Sequence, residues 1–272
     1  MTLYRLIILF FAISHTSSVL AQADTTLLDT SRYYTSFDGV RIYYEVRGSG
    51  KPVVLVHGFI ANGESWKRTD LYHDLLKQGF QVITMDLRGN GRSSHPHNAD
   101  AYAKDAEAKD LMGLVTQLGL KEYLLVGYSR GSIITARLLA LDPRVSKAVM
   151  GGMGADFTNP EWPRRIMFYR ALSGEPVKEL EKMVEYVKSS GLDQQALALL
   201  QKEQPSTPKD VLQKLKQPVL VISGDQDPDN GSAEELAALI PHSTLAHVPG
   251  DHGSTLRSPA FSAAVIEFLQ RK

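Results

Sequence analysis

Tyr123-Leu124-Leu125-Val126-Gly127-Tyr128-Ser129-Arg130-Gly131 runs on into Ile133-Ile134-Thr135-Ala136-Arg137-Leu138-Leu139. The first four residues have the apolar continuity of a buried strand, and the segment from Ile133 has the length and composition of a helix. Between them lies a GxSxG turn. Glycines on either side of Ser129 let a strand reverse sharply into a helix, a strained geometry that pushes the serine hydroxyl out of the backbone. Gly and Ser are common in turns, so the pattern alone carries little weight. The strand before it and the helix after it supply the context that its mechanics require, and Ser129 becomes the candidate nucleophile.

Moving outward, the same alternation recurs. Pro52 to Val56 and Gln81 to Met85 are continuous apolar runs of the kind expected of strands buried on both faces. The first delivers His57-Gly58-Phe59 and the second Asp86-Leu87-Arg88-Gly89-Asn90-Gly91-Arg92-Ser93. A helix-length segment, Trp66 to Gln78, separates them. Upstream, Tyr33 to Phe37 and Val40 to Val46 alternate around Asp38-Gly39 as a hairpin does. Downstream come a helix within Ala103 to Leu118, a strand at Lys147 to Met150, a strand at Pro218 to Ile222, a helix at Ala233 to Ile240, a strand at Ser243 to Val248, and a last helix from near Phe261 to Gln270. Strands alternating with helices predict an α/β fold with a mostly parallel, doubly wound sheet, whose chemistry gathers at the carboxyl ends of the strands.

One segment departs from the rhythm. Between Asp156 and about Gln217 only helical patterns occur, with Leu180, Met183, Val184 and Val187 on one face and a second run from Leu192 to Leu200. A single crossover needs only about a dozen residues. The excess predicts a small helical cap inserted after the sixth strand, with Pro205-Ser206-Thr207-Pro208 as its exit hinge.

Composition bounds the chemistry. The chain has 272 residues, 43% of them hydrophobic, enough to bury one sizeable core. Thirty basic residues balance thirty acidic ones, and no Lys/Arg-rich run occurs. Neither nucleic acid nor an anionic membrane surface is therefore expected as the main ligand. With no cysteine, disulfides, thiolate catalysis and Cys-ligated zinc are excluded. At the N-terminus, Arg5 precedes the apolar run Leu6 to Ile13, and a more polar stretch leads to Val19-Leu20-Ala21. This predicts a secretory signal peptide over residues 1–21 and an exported chain, periplasmic or secreted, beginning at Gln22 or, with cleavage after Ala23, at Asp24. The apolar run falls well short of the roughly 20 residues of a membrane span, so no stable anchor is expected.

From about Tyr33 to the C-terminus the chain resembles an α/β-hydrolase. His57-Gly58-Phe59 resembles the family's oxyanion loop, Asp86 to Ser93 its D-x-R-G-x-G-x-S turn, and Gly127 to Gly131 its nucleophile elbow. Gly224-Asp225-Gln226-Asp227 follows the penultimate strand as the family's acid turn does. His252, after Pro249-Gly250-Asp251, holds the place of the family's histidine. Asp251 and Gly253-Ser254 depart from relatives, which more often carry bulkier residues there. The resemblance implies a triad of Ser129, Asp227 and His252, with the backbone N–H groups of Phe59 and Arg130 facing the oxyanion. Such a triad suits the chemistry, because a serine hydroxyl needs an imidazole to take its proton and a carboxylate to fix the imidazole's tautomer. Among nearby acids, Asp227 is preferred to Asp225, Asp229 and Asp156, because Pro228 holds it extended and Asp225 sits close enough to the strand to bond backbone N–H groups.

The implied activity is hydrolysis of a carboxylic ester of a small to medium apolar substrate through an acyl-serine, with no cofactor and no metal. Lactonases, C–C bond hydrolases and cofactor-free perhydrolases use the same fold, as do some small-molecule receptors. Serine rather than aspartate at position 129 argues against the dehalogenase and epoxide hydrolase branches. Phe59 and the run Ile166-Met167-Phe168-Tyr169 suggest an apolar acyl pocket. The other signals take ordinary readings. His57 shapes its loop by hydrogen bonding, His95 and His97 are solvated, His242 and His247 are structural, and Asp86 with Arg88 forms a turn network. Asp225, Asp227 and Asp229 fail the calcium-loop pattern, which puts Asn230 and Leu236 where Gly and Glu are required. The sequon Asn230-Gly231-Ser232 would crowd the acid turn and is read as a chance match.

Overall fold

A computed structural model describes residues 32–271. The expected leader lies outside the described residues. Eight strands form one sheet: β1 (Arg32–Thr35), β2 (Arg41–Arg47), β3 (Pro52–Val56), β4 (Gln81–Met85), β5 (Tyr123–Tyr128), β6 (Val145–Gly151), β7 (Val219–Gly224) and β8 (Ser243–Val248). Their spatial order is β1-β2-β4-β3-β5-β6-β7-β8. β1 and β2 pair antiparallel, as do β2 and β4, and every later pairing is parallel. The hairpin, both central strands and the parallel sheet therefore match the expectation. Helices are α1 (Asp70–Lys77), α2 (Ala106–Gln117), α3 (Arg130–Leu141), α4 (Pro163–Leu172), α5 (Glu181–Ser189), α6 (Gln194–Lys202), α7 (Lys209–Leu212), α8 (Ala233–Leu239), α9 (His252–Thr255) and α10 (Pro259–Gln270).

The apolar continuity of the central strands follows from their having two dry faces. Val54 and Val56 of β3 pack with Leu111 and Leu114 of α2 and Ile133 and Leu138 of α3. Val53 and Leu55 point the other way, into a layer with Leu71 and Leu75 of α1 and Phe261, Val265 and Phe268 of α10. Side chains alternate across a strand, so one uninterrupted apolar run serves both layers. A third cluster joins Leu172, Val187, Ala196, Leu197 and Leu200 of α4 to α6, with Phe59, Ile60 and Tyr169 packed against it. This is the cap, inserted between β6 and β7 as expected.

Strand order reverses at β3, which lies between β4 and β5. In open α/β sheets such a reversal opens a crevice at the carboxyl ends. Val56 pairs with Gly127 across it, so the loop carrying Gly58 and Phe59 and the turn carrying Ser129 leave the sheet side by side.

Outside that crevice, Arg88 holds the periphery. It is fully buried; its Nε and Nη2 donate to Asp110 of α2 at 2.7 and 2.6 Å, and Nη1 donates to Asp38 of the β1–β2 turn at 2.7 Å and to the Ala101 carbonyl. Asp86 and Arg88 are thus not partners in one turn. Asp86 holds its own loop by accepting from the N–H groups of Gly63 and Arg92, each at 2.7 Å, whereas Arg88 reaches across the fold. Removing one member of a buried pair leaves an uncompensated charge, at a cost of about 3–5 kcal/mol. Asp110→Ala is expected to lower the unfolding free energy by that amount in urea denaturation; a loss below about 1 kcal/mol would show that Arg88 finds another partner.

Candidate active site

The turn between β5 and α3 is built by exclusion of volume. A Cβ on Gly131 would collide with the Val56 carbonyl of β3, and one on Gly127 with the Gly131 carbonyl and the Thr135 hydroxyl. Neither glycine has a positive φ. The expected role of the glycines is corrected accordingly: they allow close approach, and the strained backbone is that of Ser129 itself, at φ 55° and ψ −124°. A non-glycine residue in so sparse a region costs about 1–3 kcal/mol and needs surroundings that hold it. Ser129 N–H donates to the Gly151 carbonyl at 2.7 Å, and its own carbonyl accepts from Ser132 N–H at 2.8 Å. Opposite, a Cβ on Gly58 would lie 3.2 Å from Ser129 Cβ, so the β3 loop also keeps its distance only because it carries glycine.

Ser129 Oγ lies 2.9 Å from His252 Nε2, and His252 Nδ1 lies 2.7 Å from Asp227 Oδ2. The spacing assigns the Nδ1–H tautomer, with Nδ1 donating to Asp227 and Nε2 free to accept from the serine hydroxyl. Asp227 sits in the turn after β7 with a side chain only 3% exposed, against 28% for His252. The other acids face elsewhere. Asp225 accepts from Gly250 N–H at 3.0 Å, Asp229 lies 3.7 Å from Arg164, and Asp156 packs under Gly231. Asp225, Asp227 and Asp229 thus face three different partners. Among the described residues no cluster of His, Asp and Glu is placed to hold a metal ion.

The departure at Asp251 has a local purpose. Asp251 is the N-cap of α9, accepting from the N–H groups of Gly253 and Ser254 at 3.0 and 2.7 Å, while Ser254 Oγ accepts from Asp251 N–H. The Ser254 bonds hold its carboxyl below the usual carboxylate range. This capping box fixes the short helix whose first residue is His252. Two more residues border the imidazole, neither of them expected there from the sequence. Tyr128 donates its hydroxyl to the His252 carbonyl at 2.7 Å, with its ring 5.3 Å from the imidazole. Asn230, 7% exposed, donates to the Gly152 carbonyl at 3.1 Å with its amide 3.4 Å from His252 Nδ1.

Phe59 and Arg130, the two expected oxyanion positions, line a cavity of about 210 Å³ above Ser129, together with Ile133, Met153, Trp162 and Phe168. A second cavity, of about 380 Å³, meets Ser129 and His252 from the side of Trp66, Leu256 and Arg257. The Arg130 guanidinium, 4% exposed, is held by Glu107 of α2 at 2.5 and 2.6 Å and by the Leu200 carbonyl of α6 at 3.1 Å. The residue after the candidate nucleophile therefore ties the sheet to the cap. The expected apolar pocket needs correction. Phe168 reaches it and meets Phe59 edge-on at 5.9 Å, but Ile166 and Met167 line a separate groove, and Tyr169 packs within the cap. Arg164, Arg165, Gln201 and Gln204 complete the wall.

With that geometry in hand, comparison with known proteins is decisive. A model of the alpha/beta hydrolase fold matches residues 51–172. A non-heme haloperoxidase of Rhodococcus erythropolis is 29% identical over 88% of this chain and 99% of its own length. A solved thermophilic esterase of Thermogutta terrifontis superposes with a TM-score of 0.72 at 26% identity, over 88% of this chain and 98% of the other. The chain belongs to the α/β-hydrolase superfamily. A putative non-heme chloroperoxidase of a Synechocystis strain is similar over a shorter stretch, 45% identical over 41% of this chain, and the match spans only 40% of that relative.

Within this hydrolase fold three other histidines have identifiable partners. His57 is buried; its Nδ1 donates to the Gly58 carbonyl at 2.8 Å and its Nε2 accepts from Leu87 N–H at 3.0 Å. It braces the loop beneath Phe59. His97, solvated as expected with its side chain 53% exposed, also contacts Asp193 at the start of α6 at 2.7 Å. His247 lies 3.1 Å from Ser223 Oγ and 3.0 Å from Glu234.

Burial pushes the His57 imidazole below its ordinary value near 6.5, and protonation would also destroy its acceptor role toward Leu87. A depressed folded-state value means that the stability contributed is complete above pH 6.5 and is lost as pH falls, because the unfolded chain takes up the proton first. The slope from one such group is at most about 1.4 kcal/mol per pH unit. Urea unfolding at pH 7, 6 and 5 is expected to show a steeper acid loss for wild type than for His57→Gln; equal slopes would remove His57 from this role.

Proposed function

We propose that this chain is a serine hydrolase that cleaves carboxylic esters through an acyl-serine intermediate. The observation that carries the reading is the unbroken line from Ser129 Oγ to His252 to Asp227 at the junction of two cavities. Ser129 Oγ attacks the ester carbonyl while His252 Nε2 takes its proton. Asp227 stabilises the imidazolium. The oxygen that becomes negative accepts from the N–H groups of Phe59 and Arg130, held ready so that little reorganisation is needed as charge develops. Collapse expels the alcohol with the proton from His252. Water then repeats the cycle: His252 takes its proton as its oxygen bonds the acyl carbon, the acyl–Ser129 bond breaks as His252 returns the proton to Oγ, and the acid leaves. Two cavities of modest size suit the two halves of a small to medium ester. The similarity to the Thermogutta terrifontis esterase supports this reading.

The names of the haloperoxidase relatives favour a second reading on the same residues. Hydrogen peroxide in place of water would release the acyl group from Ser129 as a peracid, leaving serine and imidazole as they began.

Fluorophosphonate labelling and turnover of an aryl ester, with and without peroxide, test both. Wild type is expected to be labelled, and Ser129→Ala to lose labelling and turnover together. Asp227→Asn is expected to lower turnover about 10³- to 10⁴-fold with the fold intact by circular dichroism. Absence of labelling in folded wild type would turn the reading toward a small-molecule receptor, and a near-normal Asp227→Asn enzyme would remove Asp227 from the triad. Peracid formation exceeding hydrolysis would favour the second reading.

A further inference from the structure

The wall of the cavity above Ser129 changes character with height. Next to the serine it is apolar, formed by Phe59, Ile133, Met153 and Phe168; on the cap side it presents Arg164, Arg165, Gln201 and Gln204. Arg164 and Arg165 occupy the first turn of α4, where no acidic residue stands and where the N-cap, Trp162, makes no side-chain capping bond. Cations at that end oppose the helix dipole, so the placement works against the helix itself.

Nearby carboxylates do not cancel the charge. Arg130 is matched by Glu107, but Arg164 has only Asp229 at 3.7 Å and otherwise lies over the Phe168 ring at 5.2 Å. Arg165 donates only to main-chain carbonyls, of Gln201 and Lys202 at 3.0 and 2.9 Å and of Pro160 at 2.7 Å. Gln201 is only 5% exposed, yet its side-chain amide makes no hydrogen bond among the described residues. The amide fronts the cavity beside the two guanidinium groups, where its N–H groups can donate to a bound molecule. A positive, donor-rich end facing an apolar throat is the complement of a short carbon chain that ends in an anion.

We propose that the acid half of the substrate carries a second carboxylate, so that the chain hydrolyses monoesters or lactones of short dicarboxylic acids. The reacting carbonyl lies at Ser129, the methylenes pass Phe59 and Phe168, and the free carboxylate accepts from Arg164 and the Gln201 amide. Arg164 is the guanidinium free to swing onto it, because a 3.7 Å pairing with a half-exposed Asp229 holds it weakly. Arg165, tied to three carbonyls, contributes fixed charge and anchors α4 to the end of α6.

This proposal rests on the ester reading above, and the test separates the two. The probes are the 4-nitrophenyl monoester of adipic acid and its methyl-capped, uncharged counterpart. For wild type, kcat/KM is expected to favour the anionic ester at least 10-fold, with the preference shrinking as sodium chloride is raised. In Arg164→Gln the ratio of the two kcat/KM values should fall about 10-fold, in Gln201→Leu it should fall less, and in Arg164→Lys it should be partly retained. Hydrolysis of both esters at similar kcat/KM by wild type, or a ratio that none of the three variants moves, overturns the dicarboxylate proposal and leaves the ester reading standing. Hydrolysis of neither ester by folded wild type overturns both.

Discussion

Everything at the reactive end of this molecule depends on how closely three stretches of backbone can approach without side chains between them. The β5–α3 turn lies against the Val56 carbonyl of β3, with no room for a Cβ at Gly127 or Gly131. That contact lets a single non-glycine residue, Ser129, occupy a conformation its neighbours must enforce. It also brings Gly58 beside the serine. A methyl group at Gly131 or Gly58 would push apart the serine turn and the loop that faces it, and one at Gly127 would distort the turn against the start of α3. The sheet supplies the rigidity, because β3 and β5 are central, parallel and dry on both faces.

Two further side chains are aimed at that point from the ends of other strands. Asp227 follows β7, His252 opens the short α9 after β8, and the imidazole is held by its capped helix, by Tyr128 and by Asp227. The cap contributes the roof. Its attachment to the rest of the fold combines apolar packing, of Phe59 and Ile60 against the cap cluster, with polar contacts: Arg130 to the Leu200 carbonyl, and His97 to Asp193.

Most of the sheet was legible in the sequence, for physical reasons that also explain the misses. β3 and β4 coincide with apolar runs because a strand dry on both faces needs an uninterrupted one, and Pro52 and Gln81 mark clean beginnings. β6 begins two residues before the expected Lys147, because Ser146 and Lys147, at the strand's amino end, are only half-buried and can remain polar. α9 escaped because four residues carry no periodicity; Asp251 and Ser254, three apart, were the available signal. That Ser129, Asp227 and His252 would meet was implied by the family resemblance of the turns after β5, β7 and β8. The pocket lining could not. Periodicity tells which residues of α4 share a face but not which face turns toward Ser129, so Ile166 and Met167 were expected where Arg164 and Arg165 stand. Long-range polar pairs such as His97 with Asp193, or Arg88 with Asp110, leave no local trace at all.

The placement of β8 has a consequence for how activity and folding are coupled. β8 is an edge strand, with Thr244, Leu245 and His247 exposed and a neighbour on one side only, whereas β5 lies deep in the sheet. Serine and imidazole are 123 residues apart in the chain. Local opening is cheapest at margins, so β8 with its following turn can detach while the central strands stay paired. A molecule in that condition keeps its elbow, its strained serine and most of its core, yet has no base beside the hydroxyl. Chemical competence is thus a property of the sheet's rim, and inactivation on heating or in denaturant reports the rim's local equilibrium before it reports the melting of the core.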